Sequence, residues 1–103
     1  MAKFTLNPAP TFKAKVDIPV PGGKVEKVEF TFRHRTREEF QRWLEDIDGK
    51  DGHVVVLEAA SGWELEEPFD EEHVKELLSN YIGSLPAVME TYIRELSGQR
   101  EKN

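Results

Sequence analysis

The sequence predicts an α+β domain, with an N-terminal antiparallel β-hairpin packed on a C-terminal cluster of three to four short helices. Three observations carry this. Residues 12–20 alternate apolar and polar side chains, the two-residue period of a half-buried strand. Pro21-Gly22-Gly23 interrupts that run, and a second alternating run follows. From Thr36 onward the apolar residues change to helical spacing. The expected boundaries within one domain are a lead segment at 1–11, the hairpin at 12–34, a helical part at 36–98 and a polar tail at 99–103.

The lead segment contains Pro8 and Pro10, which interrupt regular structure. Phe12, Ala14, Val16, Ile18 and Val20 then line one face of the first strand, and Val28, Phe30 and Phe32 one face of the return strand. Pro suits the first position of a type I turn and Gly a closing left-handed position, so 21–23 reads as a three-residue loop. That loop pairs Val20 with Lys24, which sets Lys15 against Glu29 and Asp17 against Lys27. A slip of two would oppose Asp17 to Glu29 and Lys13 to Arg33. Cross-strand pairs are worth roughly 0.2–1 kcal/mol each, so charge selects the first register. An isolated hairpin is marginal in water, so its apolar face needs helices or a further strand. The lead segment is the candidate for that strand.

Thr36 with Glu39 forms the pattern of a capping box, and Phe40, Trp43, Leu44 and Ile47 follow as a helical stripe. Residues 48–53 form a polar loop. Val54-Val55-Val56-Leu57 favours a strand by its β-branched run, whereas Glu58-Ala59-Ala60 favours a short helix ending near Gly62. The residues leave that choice open. Ser61 to Asp70 reads as an irregular connector. Asp70 caps a helix whose first turn carries Glu71 and Glu72, with Val74, Leu77, Leu78 and Tyr81 as its stripe and Gly83 at its end. A last helix starts near Ser84 with Leu85, Val88, Met89, Tyr92, Ile93 and Leu96 on one face, and Gly98 closes it.

The chain has 103 residues, 38% hydrophobic and 33% charged, with a net charge of -6. Phosphate binding needs clustered cations, so nucleic acid and anionic membrane are not expected partners. No cysteine is present, which fits a reducing cytoplasm. The N-terminal ten residues lack the apolar run of a signal peptide, and no stretch has the ~20 apolar residues of a membrane helix.

The residues offer little catalytic chemistry. His34, His53 and His73 lie far apart, each at the end of an element, which suits solvated or capping roles. Asp46, Asp48 and Asp51 begin a calcium-loop pattern that fails at Lys50, Asp51 and Leu57. Ser61-Gly62 lacks the frame of a nucleophile elbow, and Gly22-Gly23 does not lead into a helix as a phosphate loop does. The cluster Glu64, Glu66, Glu67, Asp70, Glu71 and Glu72 reads as a solvated acidic face that attracts basic partners. The expectation is therefore a binding protein without catalytic residues, metal or cofactor. Its candidate contact residues are Trp63, Leu65 and Phe69, which fall outside any helix stripe. They either plug the end of the core or form an anchor surface, since aromatics dominate binding hot spots. The hairpin edge, partly blunted by Pro19, is a second candidate surface.

In order and spacing, FKAKVDIPVPGG (12–23), VEFTFRHRTREEF (28–40), SGWELEEPFDEEHVKELLSNY (61–81) and AVMETYIRELSG (87–98) resemble the phage tail assembly chaperone family of long, flexible-tailed phages and prophages. The likeness runs from about Thr11 to Gly98, and Gly62-Trp63 through Pro68-Phe69 into an acidic helix start is its most diagnostic piece. The resemblance implies a non-catalytic chaperone in the host bacterial cytoplasm. It would bind the tape measure protein, shield its apolar helices, help recruit tail tube subunits, and be left out of the mature virion. It also implies a longer frameshifted form contacting the tube protein, whose extension would begin at Gln99 to Asn103. It favours a helix over 54–60. Coating a long client needs many copies, so weak self-association into a homo-oligomer is expected.

Two other readings remain to be weighed. An acidic DNA-mimic inhibitor would need carboxylates spaced like phosphates along one face, and Lys13, Lys15, Arg33, Arg35 and Arg37 count against it. A structural tail component would differ from a chaperone by its presence in purified virions.

Overall fold

The computed structural model describes residues 4–98, and the tail at 99–103 lies outside them. The elements run β1 (Thr11–Val20), β2 (Lys24–Arg33), α1 (Arg37–Asp46), α2 (Gly52–Ala59), β3 (Ala60–Trp63), α3 (Glu71–Asn80) and α4 (Ser84–Ser97). A three-stranded antiparallel sheet, in the order β1-β2-β3, packs on the four helices.

The hairpin has the register that charge selects. Val20 pairs with Lys24, Lys15 with Glu29 and Asp17 with Lys27. Lys27 Nζ reaches Asp17 Oδ1 at 2.8 Å. Gly22 and Gly23 both take positive φ, 102° and 91°, where a Cβ would be strained. The inner face carries Val16, Ile18, Phe30 and Phe32, all buried. Phe12 stacks on Phe32 at 5.7 Å between ring centroids.

The third strand is β3 and not the lead segment. Residues 4–10 have no regular structure and are all exposed. Pro8 and Pro10 lack the N–H groups a ladder needs. β3 instead follows α2 with a single change of backbone, since Ala60 is extended at φ -129°, ψ 160°. It pairs on the free side of β2, with Phe30 opposite Trp63 and Phe32 opposite Ala60. A bulge between Thr31 and Phe32 absorbs the extra residue.

Val54 to Ala59 is helical, and the helix ends at Ala59 rather than near Gly62. Every residue of α2 is buried or half-buried. A helix enclosed on all sides needs no polar face, so it shows no amphipathic period.

Three of the predicted caps form. Thr36 and Glu39 bond reciprocally, at 3.2 and 2.9 Å, and open α1. Asp70 accepts the His73 N–H at 3.0 Å and opens α3. Gly98 closes α4 in the left-handed region. Three stripe assignments differ. Leu44 and Ile93 are exposed, and Thr91 is buried on the core side of α4. Gly83 does not end α3, which stops at Asn80; Gly83 precedes α4. A Cβ there would lie 2.9 Å from Pro19 Cγ, so glycine lets the end of β1 approach the α3–α4 turn.

Candidate protein-binding site

β3 carries the chain along β2 as far as Glu64, whose N–H donates to the Glu29 carbonyl at 3.0 Å. Its carboxylate turns back and accepts the Glu29 N–H at 2.7 Å. The chain then bends through 64–67 and returns at Phe69. Trp63 is the post it wraps. Its ring meets Phe30 and Phe69 edge-on, at 5.8 and 5.1 Å, and its Nε1 donates to the Glu67 carbonyl at 2.7 Å. Such aromatic pairs contribute about 0.5–1.5 kcal/mol beyond area burial.

The three sequence-predicted contact residues therefore separate. Trp63 and Phe69 are half-buried and close the end of the core. Leu65, 37% exposed, is held over a cleft between the sheet and α3. Ile18, Val20 and Val28 form one wall of the cleft; Leu65, Leu77 and Tyr81 form the other, around a volume of about 680 Å³. A smaller recess of about 260 Å³ continues past Leu65 to Trp63 and His73. The sequence pattern assigns Leu77 and Tyr81 to a buried stripe. Both are half-buried, with one side on the core and the other on the cleft.

The rim is acidic. Glu26, Glu64 and Glu66 border the cleft, and Glu67 and Glu76 border the recess. Lys27 also reaches the cleft, but its ammonium is paired with Asp17. His73 Nδ1 lies 2.7 Å from Asp70 Oδ1. That hydrogen bond holds the imidazole above its usual range, while the backbone N–H of His73 holds the Asp70 carboxyl below its own. The pair caps α3 and leaves the apolar walls as the contact surface. No group of three or more His, Cys, Asp or Glu side chains converges to hold a metal among the described residues. No helix there is long and apolar enough to cross a membrane.

A family model described as phage tail assembly chaperone matches residues 1–103, the whole chain. The chain belongs to the phage tail assembly chaperone family. Nothing matches it among curated proteins or solved structures.

In this tail assembly chaperone a polar cluster on the far side of α2 is structural. Tyr92 is fully buried; its hydroxyl donates to the Arg33 carbonyl at 2.8 Å and accepts from Arg35 at 3.0 Å. Arg35 also donates to the Glu58 carbonyl at 2.9 Å and stacks over Trp43, 4.5 Å from the ring centroid. The Glu58 carboxylate accepts from Trp43 Nε1 at 2.9 Å and from Lys50 at 3.0 Å. Burial pushes Glu58 up, but Lys50, Trp43 and Arg35 outweigh it and hold the carboxyl below its usual value. The cluster joins β2, α1, α2 and α4. No local spacing announces it, because its members are up to 59 residues apart. Arg35, one of the cations counted against a DNA mimic, thus faces inward.

Proposed function

We propose that this chaperone holds the tape measure protein through the cleft walled by Val20, Val28, Leu65, Leu77 and Tyr81, keeps it soluble, and helps recruit tail tube subunits. The observation that carries the reading is the family match over the whole chain. The cleft supports it physically. Its walls are apolar and its rim carries carboxylates that pair with no cation among the described residues, which suits apolar side chains flanked by Lys or Arg. The site works by contact, so affinity rests on the apolar anchors and the rim sets orientation and rate. The same reading puts the protein in the host cytoplasm and leaves it out of the finished tail. A longer form extending past residue 103 would contact the tube protein.

The test is co-expression with the tape measure protein of the same phage or prophage. The long protein is expected to be insoluble alone and to co-purify in soluble form with the chaperone. Leu65→Arg should abolish co-purification while leaving the melting temperature unchanged, because Leu65 is exposed and makes no hydrogen bond through its side chain. A tape measure protein that stays insoluble in the presence of the wild-type chain would overturn the assignment.

A further inference from the structure

Two unsatisfied features of this chain complement each other. The first is an open strand edge. β2 is paired by β3 only at Phe30, Thr31 and Phe32, and Glu64 extends the contact to Glu29. Towards the hairpin turn, Lys24–Val28 have no partner on that side among the described residues. This stretch borders the apolar cleft and its carboxylates Glu26, Glu64 and Glu66. The second is the lead segment. Phe4 and Leu6 are 86% and 88% exposed, the former and the latter alternating with Thr5 and Asn7 as a strand would. Its sequence carries Lys3 and no acid through residue 10.

We infer that residues 4–7 of one copy add as a short strand to the Lys24–Val28 edge of a second copy, with Phe4 and Leu6 seated in its cleft. Residues 4–7 are long enough to cover four of the five positions of the open edge, and Pro8 ends the pairing because it has no N–H to give. The donated segment is apolar and follows Lys3, and the cleft is apolar with carboxylates on its rim, so charge favours the match. A second copy is a better donor than the same molecule. The segment is tied at Pro10, whose carbonyl accepts the His34 N–H at 2.8 Å, at the end of the sheet opposite the turn. Val28 pairs with Val16, five residues along β1 from Thr11. The cleft edge thus lies roughly 17 Å along and two strand spacings, about 10 Å, across, and the straight path runs through the sheet. Donor segment and acceptor edge differ, so the contact is heterologous and each copy can give to one neighbour and receive from another. This goes beyond client binding and does not require it. A client using the same cleft would displace the donated strand.

The test needs no client. Sedimentation velocity of the full chain over a range of concentrations should show a coefficient that rises with concentration. The double variant Phe4→Ser, Leu6→Ser should associate at least about tenfold more weakly, since each anchor removed is worth that much. Both positions are exposed, so the variant keeps the fold. In a mixture of isotope-labelled double variant and unlabelled wild type, amide shifts are expected at Lys24–Val28, Leu65 and Tyr81. Three results would each overturn the inference: a wild-type chain that stays monomeric throughout, a double variant that associates as the wild type does, or cleft shifts in the wild type alone that do not depend on concentration. The last would mean that the segment folds onto its own molecule.

Discussion

Tyr92 is the side chain on which most of the polar interior depends. It is fully buried, packs on Phe12, Phe32, Phe40 and Trp43, and links Arg35 to the Arg33 carbonyl through one hydroxyl. Tyr92→Phe keeps the shape and removes that link. It should cost about 1–2 kcal/mol in denaturant unfolding, because a partly buried carbonyl and a guanidinium each lose a partner. An unchanged midpoint would mean that water replaces the hydroxyl. At the other end of the molecule, Asp70 and His73 form a pair that senses pH. Asp70 is depressed, so its contribution is complete above the ordinary carboxylate pKa and is lost as pH falls through the lower folded value. His73 is raised, so its contribution is complete below the ordinary imidazole pKa and is lost as pH rises through the higher folded value. The pair therefore acts fully between about pH 4 and about pH 6.5. Asp70→Asn should shrink the stability lost as pH rises above about 6.5, read as a difference of melting temperatures against wild type. Equal losses in both proteins would show that the pair contributes nothing.

At the scale of elements, the hairpin, the caps and the last helix were legible because their signals are local. Alternation, opposed charges and a Pro-Gly-Gly turn act within about twenty residues of one another, and a capping box within four. β3 was not legible for the same reason, and α2 was legible only through the family resemblance, because its residues left helix and strand open. Val54–Val56 prefers a strand by itself, but its surroundings enclose it as a helix, and tertiary packing overrides propensity. Ser61-Gly62-Trp63 has little strand character, yet it completes the sheet because β2 offers an unpaired edge beside the end of α2. The junction between sheet and helices depends on Gly83. Gly83→Ala drives a methyl to within 2.9 Å of Pro19 Cγ, so the end of β1 must move. The expected cost is about 1–3 kcal/mol, as for other overpacked contacts. It should be accompanied by faster amide exchange at the end of β1, where Val20 walls the cleft. A neutral result would mean that the proline ring gives way freely.

For the whole molecule, one core serves both halves. Phe30, Phe32, Val56, Val74, Val88 and Tyr92 are all fully buried, contributed by β2, α2, α3 and α4. Val56→Ala opens a cavity at the centre and should cost about 2 kcal/mol. Because sheet and helices share that core, far-ultraviolet dichroism and tryptophan fluorescence should report the same midpoint for wild type and variant. Separate midpoints would show that the hairpin unfolds independently of the helices. The candidate site is assembled at this scale too. Leu65 was visible as an apolar residue without a stripe to join, and its neighbours Trp63 and Phe69 were visible as aromatics. The sequence could not separate the one anchor left in solvent from the two that brace the core, because that depends on how the connector wraps Trp63. Nor could it show that Val20, Val28, Leu77 and Tyr81 form the facing walls, since they come from elements about fifty residues apart. The sequence alone determined the hairpin and its register, the caps at Thr36, Asp70 and Gly98 and the acidic surface, which rest on neighbours along the chain, and the family, which rests on the order and spacing of segments from about Thr11 to Gly98. Only the tertiary structure decided which strand completes the sheet, how the triple-valine run is enclosed as a helix, and where the cleft lies. Each of those depends on burial and pairing between segments that meet only when the chain is folded.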